Sequence, residues 1–552
     1  MPQTPESQFG SSNPWADRDA AHAEPTPPGT VSLAFTRFAA GTGSTRVHIG
    51  IPLRPGQLFP GGAKRIEIGG TTIDAVFQEG AWRHADGSIA VVRAQCQRTL
   101  TQGVPESATF VLGQTASPGR LDWVVPAFPV VTGITYQTAT ILGGVGLPTS
   151  AEHMCLSRIF GPLIPIADVP VRPAFLNGVQ QILYDHFPRY YAAWVGDNPW
   201  PQGFPGGGSQ YDRPYLCLQM FARTGLIKWM DYALRTYALK RELYDRPNRW
   251  ELNEAQGEIR STVLIDALFG ETAECWHATA ASRYGWTADA YSSLVCMTIP
   301  WATLLRMQND IIPRAPVGLD PEVGTSCRAI ARNFERLSAL ILSGHGNLVV
   351  ADGKTAAQKL VSILGRWVHA TLHSGALGTP SGLRNMIRRA PAPASYIDPV
   401  QNFQQGITIA ALHDILTWHP ALLGPELTRM VTQRVVDLTA YLWSEFWDRR
   451  SPPVATLYYT NKSGIHGGRE DPNIDSCGYY ANAFYWMYAH GYGSEWRERG
   501  DLMMMALAGT PRDGNHGPAQ DLVGPVATYE NKHLNQVFEV VQRGSALRQG
   551  VV

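Results

Sequence analysis

Three stretches of this chain gather the side chains that move protons and hold polar rings. The first is "YDHFPRYYAAWVGDNPWPQGF" followed by "QYDRP". It brings His186, Arg189, Tyr190 and Tyr191 close in sequence to Trp194, Asn198, Trp200, Tyr211 and Arg213. The second is "YYTNKSGIHGGREDPNIDSCGYY", with Tyr458, Tyr459, Asn461, Lys462, His466, Arg469, Glu470, Asp471, Tyr479 and Tyr480. The third is "GTPRDGNHGPAQD" with "YENKHLNQ", which carries Arg512, Asn515, His516, Tyr529, Asn531, Lys532 and His533. An imidazole can take a proton near neutral pH, a phenol can return one, and Arg, Lys or Asn can neutralise a developing oxyanion. Glycines let backbone approach a ligand closely. Each stretch also has a structural reading. Clustered aromatics more often pack a core than a site, and Asp212 ahead of Arg213-Pro214 reads as a helix N-cap. The second stretch has the highest density of site-like residues.

Other patterns lose to structural readings. "HATLH" places His369 and His373 one helical turn apart. It lacks the Glu of the H-E-x-x-H motif and has no evident third ligand, so no metal site is assigned. The "GGVG" and "GGG" runs lack the Lys of a phosphate loop and the context of a dinucleotide site. No cofactor is expected. The seven Cys form no C-x-x-C pair, and their odd number argues against a disulfide framework.

These loops need a scaffold, and the chain supplies two kinds. Residues 30–172 read as β. "VSLAFTRF", "TRVHIGIPL", "KRIEIGGTTIDAVFQEG", "SIAVVRAQCQ" and "SATFVLGQ" alternate with period two between Gly, Pro and Asp-Gly turns. "FPVVTGITYQTATILGG" and "HMCLSRIFGPLIPIADVPV" are expected to add strands. From residue 173 to 552 the period becomes helical. Amphipathic segments are expected over 213–245 and near 259–283, 288–309, 325–343, 355–373, 403–418, 425–447, 476–490 and 495–508, with a last one through "NKHLNQVFEVVQRGSAL". The fold class expected is α+β and multidomain: an N-terminal antiparallel β-sandwich or barrel, then a large (α/α) toroid-like helical domain. A helical bundle with long excursions is the alternative. Residues 1–29 are polar and Pro-rich and read as an arm, mobile or docked on a partner.

Bulk composition narrows the function. Basic and acidic residues balance at 46 each, which argues against a nucleic-acid binder. No apolar run has membrane-spanning length, and the first 29 residues have no signal-peptide h-region. No membrane insertion is expected, and synthesis is expected in the cytoplasm.

The strand Ile49-Gly50-Ile51-Pro52 and the hairpin Trp82-x-x-Ala85-Asp86-Gly87-Ser88-Ile89 carry a family likeness. Followed by a helical region of this size, they resemble the N-terminal part of exo-rhamnogalacturonan-lyase-like proteins, an architecture similar to that of large bacteriophage tail-associated proteins. The motifs cover about forty residues, and no catalytic residue of that family can be matched one by one. The resemblance implies a glycan partner. Two readings follow. In the first, the chain is a virion protein of a phage tail that binds host-surface polysaccharide, with degradation left open. It would be oligomeric and would contact other virion proteins through its arm. In the second, it is a polysaccharide lyase that cleaves uronate-containing chains by β-elimination outside any virion. Either reading takes His466, His186, Tyr190, Arg469 and Tyr459 as catalytic candidates. The substrate-binding candidates are Trp194, Asn198, Trp200, Tyr211, Asn461, Lys462, Tyr480, His516 and Lys532.

Overall fold

The structure is a computed structural model. It describes residues 29–113, 121–124, 142–169, 213–244, 260–269, 327–347, 354–373, 402–447, 477–507 and 542–551. The N-terminal arm up to residue 28 lies outside these, as do the expected segment 288–309 and most of "FPVVTGITYQTATILGG".

Among the described residues eight strands form one sheet: β1 (Thr30–Arg37), β2 (Thr42–Pro52), β3 (Lys64–Ile68), β4 (Thr71–Thr72), β5 (Val76–Glu79), β6 (Val91–Thr101), β7 (Glu106–Leu112) and β8 (Gly144–Pro148). Their order is β4-β3-β7-β1-β8-β2-β6-β5. All pairs are antiparallel except β2 with β8. The five period-two runs read from the sequence between residues 31 and 114 supply β1 to β7. The sequence reading left open sandwich or barrel, and side-chain contacts show a single sheet that curls on itself. Four strands separate β5 from β7, yet the rings of Phe77 and Phe110 lie 6.3 Å apart. Neighbouring strands are ~4.8 Å apart, so a flat sheet would hold those rings more than 20 Å apart. Lys64 on β3 and Glu79 on β5 close the gap with a 2.7 Å ion pair. The inner face is one apolar cluster that includes Leu33, Phe35, Val47, Ile49, Ile51, Val92, Cys96 and Phe110.

β8 is a central strand that the sequence reading missed. Its "GVGLP" has too little side chain to show a strand period. The reason is steric: a Cβ on Gly146 would fall 2.8 Å from Ile49 Cγ1 and from the Phe35 ring.

The expected strand in "HMCLSRIF" is corrected to helix α1 (Ala151–Leu156). Ser150 caps it by accepting from His153 N at 3.1 Å, and a local cap of this kind overrides short apolar alternation. His153 Nε2 then meets Pro52 O at 2.8 Å and pins the helix to the end of β2.

The remaining helices fall where the period placed them. They are α2 (Arg213–Thr224), α3 (Ile227–Tyr244), α4 (Arg260–Phe269), α5 (Cys327–Leu340), α6 (Ala356–His373), α7 (Asn402–Trp418), α8 (Pro420–Phe446), α9 (Cys477–Ala489) and α10 (Ser494–Leu507). The run 213–245 divides at Gly225, whose φ of 68° lets its N–H reach back to Phe221 O at 2.8 Å and end α2. Contacts run α2 to α4 to α5 to α7 to α9, with α3, α6, α8 and α10 packed on α2, α5, α7 and α9. A helical segment over 542–547, at the end of the last expected helix, bridges the ends of this series. Gln542 bonds Gln219 on α2 at 3.3 Å, and a Cβ on Gly544 would meet Asn482 of α9 at 2.8 Å. Among the described residues no helix is long and apolar enough to cross a membrane.

The outer face of the sheet packs on the helices. Trp82, Ala90, Val91, Val145 and Leu147 belong to the helical core cluster. Two glycines permit this approach. A Cβ on Gly50 would lie 2.7 Å from Leu268 O of α4, and a Cβ on Gly344, just after α5, would lie 2.5 Å from Ala81 Cβ. Gly50→Ala is therefore expected to lower stability by ~1–3 kcal/mol, the usual cost of overpacking. Thermal unfolding followed by circular dichroism checks this, and an unchanged midpoint would show that the joint yields.

Candidate functional site

The hairpin that carries the family resemblance is a structural device. Asp86 Oδ1 accepts from Ser88 N at 2.9 Å and from Ser88 Oγ at 2.6 Å, while Ser88 Oγ accepts from Gly56 N at 2.9 Å. Gly87 has the positive φ, 83°, that the turn needs. Burial opposes ionisation of Asp86, but the Ser88 hydrogen bonds and the His84 charge outweigh it and hold the carboxyl below its usual range. The result is a rigid tip whose first residue, Trp82, leaves the sheet and enters the helical part.

There Trp82 forms one wall of a cleft of about 60 Å³. Its ring meets Trp418 edge-on, with centroids 4.7 Å apart. Tyr215 forms another wall and is held by donation from its hydroxyl to Phe160 O at 3.0 Å. Arg260, Glu335, Ser338 and Asp414 supply the polar lining. The site thus draws on the β hairpin, α2, α4, α5 and α7 and lies at the junction of the two parts of the chain, a common place for ligand pockets.

The charged lining is balanced. Arg260 pairs with Asp414 and stands 3.6 Å from Glu335, and Arg543 pairs with the other oxygen of Asp414 at 2.6 Å. The Arg260 guanidinium also lies 5.5 Å over the Tyr215 ring. Burial pushes the Asp414 carboxyl up, but the charges and hydrogen bonds of the two guanidiniums prevail and keep it ionised. A carboxylate held this way is a poor proton acceptor, so Asp414 acts as an anchor.

Ser338 Oγ and His419 Nε2 are 2.7 Å apart at the edge of the cleft. These are the atoms of a nucleophile and its base, but the surroundings do not support that role. Burial drops His419 to about 4, only partly offset by the Asp414 charge, which leaves a weak base. Ser338 sits inside a helix, where backbone N–H groups are already bonded and offer no oxyanion hole. Behind this pair, His413 stacks on Trp486 at 4.6 Å with a 6° tilt, and Trp486 stacks on His490 at 3.9 Å. Burial, with Arg543 and His490 nearby, holds His413 neutral. Neither Asp414 nor the Ser338–His419 pair is therefore equipped to transfer protons.

Of the catalytic and substrate-binding candidates, the structure describes Tyr480. It lies on α9 with 0 % exposure, packed against Gly406 of α7, as a core side chain does. His186, Tyr190, Trp194, Asn198, Trp200, Tyr211, Tyr459, Asn461, Lys462, His466, Arg469, His516 and Lys532 lie outside the described residues. Their flanks are informative. The first stretch rejoins the described chain at Arg213, two residues before cleft-lining Tyr215. The third rejoins it at Gln542, next to the Arg543 that holds Asp414. The second rejoins it at Cys477, near Tyr479, which packs on Gly406. Gly406 is eight residues before Asp414 on α7, about 12 Å along the axis at 1.5 Å per residue. Sequence reasoning missed Trp82, Tyr215, Arg260, Glu335, Asp414 and Trp418 as a group, because they are distant in sequence and each reads as an ordinary helix or hairpin residue. His369 is exposed on α6, and among the described residues no group of His, Cys, Asp and Glu could hold a metal.

Two carboxyls give opposite pH predictions. Asp414 is part-buried, with 21 % of its side chain exposed, so Asp414→Asn is expected to destabilise the protein by less than the about 3–5 kcal/mol that breaking a fully buried pair costs. Its carboxyl is depressed in the fold, so its contribution is present above pH 4 and fades as pH falls through the folded value. Asp266 on α4 behaves in reverse. Burial raises it to about 7 against the weaker pull of Arg93, whose Nη1 reaches Asp266 O at 3.4 Å. A raised carboxyl favours the fold below its folded value and loses that advantage as pH rises from about 4 to about 7. Asp266→Asn should therefore raise the unfolding midpoint at pH 8 and leave it nearly unchanged at pH 4. Denaturant titrations at the two pH values read both effects.

Known proteins offer little to set beside this geometry. No family model and no curated protein matches the sequence. Among solved structures, a protein named as a polysaccharide lyase is similar at 12 % identity, covering 67 % of this chain and 97 % of its own, with a TM-score of 0.36. A glycosyl hydrolase family 88 protein from Bacteroides vulgatus is similar at 13 % identity, covering 68 % of this chain and 99 % of its own, with a TM-score of 0.36. At that score neither likeness establishes a shared fold.

Proposed function

We propose that this chain engages polysaccharide, with the cleft between the β hairpin and the helices as a sugar-binding site. One observation carries the reading: Trp82, Trp418 and Tyr215 surround a polar lining of Arg260, Glu335, Ser338 and Asp414. Sugars are held by aromatic faces against their C–H surfaces and by convergent polar groups on their hydroxyls, and this cleft offers both. The sequence resemblance carried by Ile49–Pro52 and by Trp82 with Asp86-Gly87-Ser88 points to the same class. That resemblance also supports the fuller form of the proposal, in which the helices form a toroid and the protein belongs to a phage tail and meets host-surface polysaccharide. Chain cleavage by β-elimination is the second reading. It takes its base from the sequence candidates His186 and His466, since neither Asp414 nor His419 in the described cleft suits that role.

Binding is tested by titrating the full chain with a polysaccharide panel in a calorimeter. Binding that falls at least about tenfold in Trp82→Ala, with the fold retained, is expected, since losing a stacking face costs of order 1 kcal/mol or more. No binding across the panel, or binding indifferent to Trp82, would remove the cleft from the proposal. Elimination is read separately, as absorbance near 235 nm from new unsaturated uronates. A rise abolished by His186→Ala or His466→Ala would establish the lyase reading.

A further inference from the structure

We propose that Arg54 anchors an anion site on the β part, which takes one oxyanion, a carboxylate or a sulfate, at the two terminal nitrogens of the guanidinium. The site is separate from the cleft and stands without the sugar-binding reading. That the anion is carried on an acidic glycan rests on that reading.

The observation is a buried cation with nothing to hold. Arg54 follows β2 and is 8 % exposed. Its backbone is fixed: Arg54 N donates to Gln57 Oε1 at 2.9 Å, and Gln57 N donates to Arg54 O at 3.1 Å. Gly56 N donates to Ser88 Oγ at 2.9 Å and ties this loop to the hairpin tip. Yet the guanidinium forms no hydrogen bond or ion pair with any described residue. Nε is buried and unmet. The terminal nitrogens are also unmet but keep some surface, so a ligand reaches the guanidinium end-on. The other described cations of the sheet all have partners. Lys64, Arg65 and Arg98 pair with Glu79, Glu67 and Glu106. Arg37 donates to Thr45, Arg46 to Gln95, Arg83 to Trp82 O and Arg93 to Asp266 O.

Arginine is seldom buried unless paired, because a charge taken out of water without a partner is costly. The ionisable groups nearby do not supply the missing charge. His153 on α1 is held below its usual range by burial, against the pull of its hydrogen bond to Pro52 O, and the Arg54 charge lowers it further. The imidazole therefore registers an uncompensated cation beside it. Glu152 is exposed and forms no ion pair with Arg54, and Asp86 is engaged by Ser88. A ligand oxyanion supplies the charge that the fold does not. With Nε closed off, the fork that remains is Nη1 with Nη2, whose parallel N–H bonds match two oxygens of one carboxylate or sulfate.

The test follows the unfolding midpoint of the full chain as sulfate, glucuronate or a glucuronate oligosaccharide is added, with ionic strength held constant by chloride. Each should raise the midpoint saturably. Arg54→Met keeps the length of the side chain and removes its charge, and it should weaken each anion about tenfold or more. In chloride alone the same variant should unfold at the parent's midpoint or above it, because it removes a buried charge that the fold does not pair. Arg54→Lys keeps the charge without the fork and should bind sulfate with intermediate affinity. A lower midpoint for Arg54→Met in chloride would show that the fold itself uses the guanidinium, and would overturn the proposal. So would a rise with no anion, or a rise that Arg54→Met leaves unchanged. Parental affinity in Arg54→Lys would overturn the end-on fork. Oligosaccharide binding about tenfold or more tighter than that of glucuronate is expected and assigns a glycan source; equal affinities overturn that source and assign a free ion. Sulfate binding lost in Arg54→Met, with no polysaccharide bound, keeps the Arg54 site while the sugar-binding reading falls. Oligosaccharide binding lost in Trp82→Ala but intact in Arg54→Met does the reverse.

Discussion

One carboxylate holds together segments from three distant parts of the chain. Asp414, in the middle of the helical part, receives Arg260 on one oxygen and Arg543 on the other. The three residues span 283 positions, since 543 less 260 is 283. Around that point α4 touches α7, and the last turn of the chain closes on both α2 and α9. Such a network gains little over a well-packed apolar one, because each ion gives up its water on burial. What it contributes is position. Two planar guanidiniums on one carboxylate fix where three segments meet, and an apolar contact at the same place would not fix it so narrowly.

The β part docks against this arrangement by close contact rather than by charge. Gly50 lets β2 reach the backbone of α4, and Gly344 lets the end of α5 reach Ala81. The second contact lies next to Trp82 in the chain. The Asp-Gly-Ser tip is locked by its own hydrogen bonds, and the Trp82 indole at the base of the hairpin rests against Trp418. The site is therefore shared: its polar lining comes from the helices, and one of its aromatic walls comes from the sheet.

Much of the architecture was legible in the amino-acid sequence. Period-two runs marked seven of the strands, and period-3.6 runs marked the helices, because both follow from which side chains must face a core. Local chemistry misled in two places. "GVGLP" hid a central strand, since Gly146 is there to leave room for Phe35 and Ile49, a demand set by neighbours 97 or more positions away. "HMCLSRIF" alternated like a strand, but Ser150 turned it into a helix. The dense loop clusters drew attention because their residue types lie side by side, which is the only proximity a sequence displays.

The sequence by itself determined the class of the chain: a β part, then a helical part, with charge in balance and a hairpin built around Asp86-Gly87-Ser88. Those are local or additive properties, and periodicity and composition record them directly. Only the tertiary structure decided that the sheet curls until Lys64 reaches Glu79, that Trp82 crosses into the helices, and that Arg260, Glu335 and Asp414 face one cleft. The physical reason is the same in each case. These contacts join residues far apart in the chain, and their partners are selected by packing and by the need to pair buried charge. Neither leaves a period or a motif at the positions it brings together.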